Sequence, residues 1–273
     1  MFTITIDETN NIIRVVSQKF GIDLSVMALA SLRLKLSQFC KDHHLSTPDS
    51  LIVRLLDEPG FIEKFITGIY ANSPDMFRDP ELWIAVRDQV IPEILLNTVT
   101  PQILIPDSVS GEDIYSMAVL LTEAGLDHQI QLTATCINDC IRDEIENKPL
   151  PRGRYKNCHD NYKVFNPGSS LDKYFILRDG KYFRNPGMLN MFELKVQAED
   201  HPDIDSRTKL ILYRDRMIYL NKDTSRRRIR EMLDQSDEGT ILIIGIRESV
   251  RHLKLIGRIR TISSDLNIYS KAG

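Results

Sequence analysis

The stretch IPDSVSGEDIYSMA, residues 105–118, joins a short apolar run to an amphipathic segment. The run Gln102–Ile105 is typical of a buried strand, and residues 113–124 place Ile114, Met117 and Leu121 on one helical face. A strand, a loop and a helix in this order are typical of nucleotide-binding α/β folds. Their loop usually contains glycine, because the backbone must approach the ligand closely. Here the loop begins Pro106-Asp107-Ser108, and its one glycine is Gly111.

The rest of the second half continues the alternation of strands and helices. Strands are predicted at 130–137, 209–213 and 240–246, helices at 138–147 and 224–233, and a closing pair of strands around Ser263-Ser264-Asp265. This pattern predicts a Rossmann-like parallel sheet covered on both faces, with an antiparallel hairpin at its edge. Residues 150–190, rich in Gly, Asn, Pro and aromatics, are predicted to form a small inserted β-subdomain of irregular structure.

The first hundred residues are predicted to be helical. Apolar residues recur at helical spacing in 7–20, 26–43, 50–56, 58–71 and 80–96. We therefore expect a helical N-terminal domain at 1–75, a linker helix at 76–100, and an α/β domain at 101–273.

Composition places the chain among ordinary globular proteins, with 42% hydrophobic and 27% charged residues in 273. The longest apolar runs are far shorter than the roughly 20 residues that a membrane span needs. The N-terminus has no basic segment of the signal-peptide type. The four cysteines are expected to be free thiols in a reducing compartment. These features predict a cytoplasmic protein without membrane insertion.

Charge and cysteine patterns suggest two further kinds of site, and neither is favoured. Basic residues concentrate in the last third, most densely at Arg226-Arg227-Arg228 with Arg230, but few aromatics accompany them. A solvated helix face explains this cluster better than nucleic acid does. Cys136-x-x-x-Cys140 with Cys158-His159 could suggest zinc, but the spacing starts inside a predicted strand and no second pair completes it. No metal site is predicted.

Five segments, in this order, resemble the CheR-type methyltransferases, which use S-adenosylmethionine to esterify glutamates on bacterial chemoreceptors. ANSPDMFRDP (71–80) is similar to that family's NxTxFFR, and PDSVSGEDIYSMA (106–118) to (A/G)CSTGEEPYS. ATCIN (134–138) is similar to (S/T)DID, YRDRMIYLNK (213–222) to CRNVxIYF, and IIGIRES (243–249) to GxxE. The resemblance covers nearly the whole chain and implies a class I methyltransferase-type sheet behind an all-helical N-terminal domain.

On the acceptor side the resemblance implies three catalytic residues, Arg78, Arg214 and Tyr219. Methyl transfer to a carboxylate needs no strong base, because the nucleophile is already ionised at neutral pH; it needs the carboxylate held in line. The residues alone leave a purely structural interpretation open. Under that interpretation Arg78 pairs with a neighbouring acid, Tyr219 is a core tyrosine, and Glu112 is an acid that stabilises a helix N-terminus. The acids nearest Arg78 are Asp75, Asp79 and Glu81.

On the cofactor side the resemblance implies five binding positions: Asp107, Gly111, Glu112, Cys136 and Asp215. Several depart from the family pattern. Asp107 would place a charge where the methionine carboxylate of the cofactor should lie, and like charges at close range repel. Cys136 replaces the acid that accepts two hydrogen bonds from ribose, a loss of a few kcal/mol. Further departures are Pro106 and Ser108 in the first loop, Asp215 for asparagine, and Pro74 for threonine.

These residues predict a CheR-like protein of a bacterial chemosensory or related signalling pathway, with impaired or lost S-adenosylmethionine binding. It would act as a binding or regulatory element, and its partner would be an acidic segment of a chemoreceptor or other signalling protein. The alternative is an active protein-glutamate O-methyltransferase, for which S-adenosylmethionine is the cofactor. A second alternative is an unrelated nucleotide- or nucleic-acid-binding α/β protein, supported only by the basic last third.

Overall fold

The computed structural model describes residues 4–70, 75–197 and 203–273. The chain forms two compact units, one of Met1–Ala71 with Asp215–Arg227 and the other of Asn72–Arg214 with Arg228–Gly273. Pro74, which occupies the position of the family's threonine, lies outside the described residues.

Four helices make up most of the first unit: α1 (Ile6–Phe20), α2 (Leu29–Asp42), α3 (Pro48–Asp57) and α4 (Phe61–Tyr70). Thr5 caps the N-terminus of α1, since Thr5 and Glu8 each accept a hydrogen bond from the other's backbone N–H. α4 approaches α2 closely at Gly68, where a Cβ would lie 2.5 Å from the Phe39 ring. The all-helical character predicted for the N-terminal region is confirmed.

The first unit also includes the segment 215–227, which is bound to the start of α2. Ala28 N donates to Tyr219 O over 2.8 Å, and Asn221 N donates to Val26 O over 2.9 Å. Between these two hydrogen bonds Met27 and Leu220 form an antiparallel bridge. Hydrogen bonds on both sides of a bridge fix its register, so the segment that carries Tyr219 has a defined position on these helices.

The second unit holds the α/β domain. In chain order it contains α5 (Pro80–Ala85), α6 (Ile91–Asn97), β1 (Gln102–Ile105), α7 (Glu112–Glu123), β2 (Gln131–Cys136), α8 (Asp139–Asn147), β3 (Leu150–Pro151), α9 (Arg152–Phe165), β4 (Phe175–Arg178), β5 (Lys181–Arg184), β6 (Glu193–Val196), β7 (Thr208–Tyr213), β8 (Ile241–Ile244), β9 (Ile259–Ser263) and β10 (Ile268–Lys271). It also includes α10 (Lys222–Gln235) from Arg228 onwards. One π-helical turn, Val86–Val90, joins α5 to α6 where the sequence predicts a single helix.

Seven strands form the main sheet, in the order β6-β2-β1-β7-β8-β10-β9. The first five are parallel, and β10 pairs antiparallel with both β8 and β9. This confirms the predicted parallel sheet with a closing hairpin. The chain leaves β1 towards β2 on one side and later returns to β7 on the other. The carboxyl ends of β1 and β7 therefore flank a topological switch point, where open α/β sheets bind ligands.

The inserted region differs in part from its prediction. A three-stranded antiparallel sheet, β3-β5-β4, is present, as expected for a small β-subdomain. The 14-residue helix α9 is not predicted by the sequence interpretation, and neither is the short strand β6. The buried residues of α9 are Tyr155, Cys158, Tyr162 and Phe165, so helical periodicity is present. The high content of polar and aromatic residues obscures it.

A half-buried carboxylate at the end of α7, Glu123, ties α9 to the rest of the unit. Glu123 Oε1 accepts hydrogen bonds from the Tyr162 hydroxyl (2.5 Å) and the Tyr174 hydroxyl (3.2 Å), and it pairs with Lys173 Nζ (2.9 Å). Its Oε2 accepts from Asn166 Nδ2 over 3.0 Å. Burial alone would raise the pKa of Glu123, but the hydrogen bonds from Tyr162, Lys173 and Asn166 bring the pKa below its usual value.

We expect Glu123→Ala to lower the free energy of unfolding by about 2–4 kcal/mol, because two buried tyrosine hydroxyls lose their acceptor. Urea unfolding followed by the fluorescence of Trp83, the single tryptophan, measures this. Glu93→Ala, at an exposed position of α6, is the matched control and should change stability by less than about 0.5 kcal/mol. Equal effects of the two substitutions would show that the Glu123 network contributes nothing specific.

Candidate functional site

The loop after β1 keeps the turn that a glycine would make, although aspartate occupies it. Asp107 has a φ of 53°, in the left-handed region that favours glycine and that aspartate tolerates better than most residues. Asp107 N donates to Thr135 Oγ1 over 3.1 Å, and Ser108 N donates to Thr135 O over 2.7 Å. The backbone of the loop is thus bound to the end of β2.

The Asp107 side chain lies in a buried cluster with Tyr213 and Arg228. Its Oδ2 accepts from Arg228 Nη1 over 2.5 Å and from the Tyr213 hydroxyl over 3.2 Å. Asp107 is 8% exposed, Arg228 6% and Tyr213 1%. The guanidinium therefore compensates the charge that the sequence leads us to expect in the cofactor site.

Arg228 corrects the prediction that the arginines of α10 form a solvated face. The buried residues of α10 fall at Thr224, Ser225, Arg228, Ile229, Met232 and Leu233, a stripe with helical spacing. Arg228 lies within this stripe, so its burial could have been predicted from the period alone. Its partner Asp107 could not, because the two are 121 residues apart.

Cys136 is the last residue of β2 and is 1% exposed. Burial raises the pKa of its thiol to about 11, so the side chain is neutral near pH 7. Its Sγ lies 3.6 Å from the Asn138 carbonyl oxygen. A neutral thiol is a weak hydrogen-bond acceptor, and it does not provide the two charged acceptor oxygens of a carboxylate.

Gly111 immediately precedes α7 and is required by packing rather than by its φ, which is −86°. A Cβ at this position would lie 2.6 Å from Cε2 of Tyr115 and 3.3 Å from Cγ2 of Ile145. Tyr115 is itself fixed, since its hydroxyl donates to the Ile145 carbonyl over 3.1 Å. The absence of a side chain at Gly111 thus lets the loop before α7 pack against Tyr115 and Ile145.

Glu112, the first residue of α7, is 5% exposed and faces two arginines. Its Oε1 lies 3.4 Å from Arg184 Nη2 and 3.6 Å from Arg154 Nη2. Its Oε2 is buried without a hydrogen-bond partner among the described residues. One carboxylate oxygen therefore holds the inserted subdomain, while the other could accept a hydrogen bond from a bound cation.

Arg214, directly after β7, has no exposed side-chain surface. Its guanidinium donates to Asp113 Oδ1 (2.9 Å), Asp79 Oδ2 (2.5 Å) and the Arg78 carbonyl (3.2 Å), and it lies over the Trp83 ring at 5.7 Å. In this arrangement Arg214 fixes the backbone at Arg78. Direct contact with an acceptor would require one of the two carboxylates to release it.

Arg78 lies beside Arg214 and keeps 24% of its side chain exposed. Its Nε is 3.7 Å from Asp79 Oδ2, whereas Asp75 pairs with Arg154 over 2.8 Å. Burial, Arg214 and Arg247 all lower the pKa of Arg78. Arg247 is exposed in the loop after β8 and is absent from the sequence-based set of site residues.

Tyr219 and Asp215 belong to the first unit. Asp215 is 3% exposed, and its φ of 54° again lies in the left-handed region. Tyr219 is half-buried, with Lys35 Nζ 4.6 Å from the centre of its ring. Burial, together with the nearby Arg216, lowers the pKa of Lys35 to about 8. A lysine from α2 thus adjoins the predicted catalytic tyrosine.

Within 4–70, 75–197 and 203–273, no group of three or more His, Cys, Asp or Glu side chains is placed to hold a metal ion. Within the same ranges, no helix has both the length and the apolar composition needed to cross a bilayer.

Comparisons with known proteins bear on the family. Residues 72–264 match the SAM-binding domain of the CheR methyltransferases. A methyltransferase of Pseudomonas putida named Cher3 is 23% identical over 265 residues, with 97% of each chain covered. A chemotaxis protein methyltransferase of Borreliella burgdorferi is 25% identical over 264 residues, covering 91% of this chain and 90% of its own.

Among solved structures, a class I S-adenosylmethionine-dependent methyltransferase from Listeria monocytogenes aligns with 98% of this chain and 87% of its own. The identity is 8% and the TM-score 0.39, a likeness too slight to bear on the assignment. The family match extends over more than half of the chain and includes the loop after β1, the end of β2 and the segment after β7. On this evidence the chain belongs to the CheR methyltransferase family.

Proposed function

We propose that this protein serves a bacterial chemosensory or related signalling pathway as a binding or regulatory element, with impaired S-adenosylmethionine binding. The observation that carries the proposal is the buried cluster of Asp107, Arg228 and Tyr213 in the loop after β1. The family resemblance assigns this loop to the methionine end of the cofactor.

The cluster opposes the cofactor in two ways. The Asp107 side chain occupies buried space that a small residue would leave open. The backbone N–H groups of Asp107 and Ser108, which could otherwise receive a carboxylate, already donate to Thr135. A ligand carboxylate would have to displace hydrogen bonds that are internal to the protein, at a cost of about 1 kcal/mol or more for each.

The sugar end of the cofactor loses a second contact. Ribose hydroxyls donate well to a carboxylate, and Cys136 offers a neutral thiol at that position. Replacing a charged acceptor costs about 1.5–3 kcal/mol, or roughly tenfold to a hundredfold in affinity. The residues present therefore do not fit the whole cofactor, although the free oxygen of Glu112 suits its ammonium group.

The acceptor side supports a partner with an acidic segment. The guanidinium of Arg78 is partly exposed, and the backbone carbonyl of Arg78 accepts a hydrogen bond from Arg214 that fixes its position. The Borreliella relative is named a chemotaxis protein methyltransferase, which favours a chemoreceptor as the source of that segment.

Active glutamate methylation is the second candidate. Two observations favour it: Asp107 preserves the left-handed turn of the loop, and Glu112 keeps a buried oxygen available. In that case the cofactor would bind despite the cluster.

Titration calorimetry with S-adenosylmethionine and S-adenosylhomocysteine separates these candidates. We expect no saturable binding at sub-millimolar ligand, because both ends of the cofactor meet unsuitable groups. A thermal-shift measurement with the same two ligands, using adenosine as control, should show no stabilisation specific to the amino-acid portion. A low-micromolar dissociation constant would contradict the proposal and favour the active enzyme.

A further inference from the structure

The three most exposed large apolar side chains among the described residues flank one edge of the main sheet. Leu96 is 86% exposed, Val99 91% and Ile256 98%. Leu96 and Val99, here called the first patch, lie near the end of α6 and in the connection that leads into β1. Ile256, here called the second patch, lies in the connection that leads into β9. Each patch is therefore at the amino end of a strand.

Both strands begin at the same edge, as the register of the sheet shows. Ile103 of β1 pairs with Leu210 of β7, which pairs with Ile241, the first residue of β8. Ile241 lies opposite Ser270 of β10, and Ser270 lies opposite Arg260, the second residue of β9. Four strand spacings separate β1 from β9 in this row, so the two strand ends are about 19 Å apart.

A tight turn holds Ile256 outward. Arg258 N donates to Leu255 O over 3.0 Å, and Gly257, the third residue of the turn, has a φ of 77°. Leu253 and Leu255 are at most 4% exposed, so the turn is anchored in the core beside its tip. A turn of this geometry accepts a polar residue at the position of Ile256. The apolar side chain therefore needs another explanation, and contact with a second molecule supplies one.

The first patch is accompanied by acids. The adjoining segments 93–101 and 124–130 contain Glu93 and Asp127 and neither lysine nor arginine. Gln131 N donates to Pro101 O over 3.0 Å, which brings the two segments together. Among the described residues Glu93 has no ion-pair partner, and Asp127 has only His128 at 3.9 Å, whose ring is charged only when protonated.

The second patch is accompanied by cations. Its segment, 254–260, contains Lys254, Arg258 and Arg260 and no acid. Arg258 is paired with Asp234. Lys254 and Arg260 are exposed and have no ion-pair partner within the described parts of the chain. One edge of the sheet thus carries two unpaired carboxylates at one end and two unpaired cations at the other.

We propose that two copies of this chain associate through the amino edge of the main sheet, about a two-fold axis. A two-fold axis places the first patch of each copy on the second patch of the other, so every contact is made twice. The acids of one copy then meet the cations of its partner, and the apolar side chains are covered. An anionic membrane or a nucleic acid fits this edge less well, because its acidic end would be repelled. The loop after β1 lies at the opposite, carboxyl edge and takes no part in this contact.

Sedimentation equilibrium of the whole protein, without ligand and over about a hundredfold range of concentration, measures the association. We expect a monomer–dimer equilibrium with a dissociation constant of about 10–100 μM. Ile256→Ser should weaken it at least about tenfold, since it removes an apolar contact that occurs twice. Lys181→Glu, at an exposed position of β5, reverses a charge away from the edge and should change nothing.

Charge reversal at each end of the edge tests which patches meet. The double variants Glu93→Lys with Asp127→Lys and Lys254→Glu with Arg260→Glu should each dimerise at least about tenfold more weakly, because like charges then face each other. An equimolar mixture of the two should form heterodimers about as readily as the wild type dimerises. Native mass spectrometry distinguishes the heterodimer by its mass.

Three results would overturn this interface. They are a wild type that stays monomeric at every concentration, an Ile256→Ser variant with an unchanged dissociation constant, and a mixture of double variants without heterodimers. The last two would leave the edge to a different partner or to a different pairing of copies. Dimers of this affinity dissociate at submicromolar protein, so all variants should unfold in urea at the wild-type midpoint, which checks their folding. None of these measurements involves S-adenosylmethionine or an acidic partner, so the outcome is independent of the proposed function.

Discussion

Replacing Asp107 by glycine alone, or Arg228 by methionine alone, should lower the free energy of unfolding by about 3–5 kcal/mol, because each breaks a buried ion pair by removing one of its two charges. The double variant should recover most of that loss, since it removes both charges. Glycine is the informative replacement at position 107, because a φ of 53° suits it without strain.

Urea unfolding of the wild type, both single variants and the double variant completes a thermodynamic cycle for the pair. Trp83 fluorescence reports the transition. Arg260→Met controls for the loss of an exposed arginine and should change stability by less than about 0.5 kcal/mol. If the two single losses simply add in the double variant, the pair is not coupled and the cluster is not the reason for the altered loop.

The second large effect concerns cofactor affinity. The sequence alone suggests restoring the site with Pro106→Ala, Asp107→Gly and Cys136→Asp. The structure adds Arg228→Met, because Asp107→Gly alone would remove the carboxylate that pairs with this buried guanidinium. We expect the variant with all four substitutions, called the quadruple variant, to bind S-adenosylhomocysteine at least tenfold more tightly than the wild type. This is a gain of about 1.4 kcal/mol or more in binding free energy.

Calorimetry measures the gain, and a variant that retains Cys136 separates the two ends of the ligand. Without Cys136→Asp, the affinity for S-adenosylhomocysteine should be about tenfold to a hundredfold weaker than that of the quadruple variant, which is the contribution of a charged hydrogen bond. Cys136→Asp alone should change little, since the loop stays closed. If the quadruple variant unfolds cooperatively with wild-type stability but binds S-adenosylhomocysteine no more tightly, these residues do not limit binding.

Much of the fold follows from local patterns. The strand at Gln102–Ile105, the helix after it and the closing hairpin all have the periodicity of their structures, and all are present. α9 has the right period as well, but its many polar residues obscure it. β6 is four residues long at the edge of the sheet, too short for alternation to identify it.

The sequence predicts the location of a site residue only where the order of strands along the chain determines it. The loop after β1, Cys136 and Arg214 lie at strand ends, as the order of segments implies. The partners of these residues come from distant parts of the chain. Asp107 meets Arg228 through tertiary packing that a single sequence does not encode locally. The roles of Arg78, Tyr219 and Glu112 remain predictions.

The antiparallel bridge between Met27 and Leu220 constrains how this chain can recombine with a relative. A chimera that took its first seventy residues from a relative would pair that relative's helices with this chain's 215–227 segment, so the side chains around the bridge would come from two different proteins. The exchangeable module is therefore discontinuous, because 215–227 must travel with the N-terminal helices. A natural crossover that swaps those helices needs two exchange points in the gene, and compensating changes on the two sides should be inherited together.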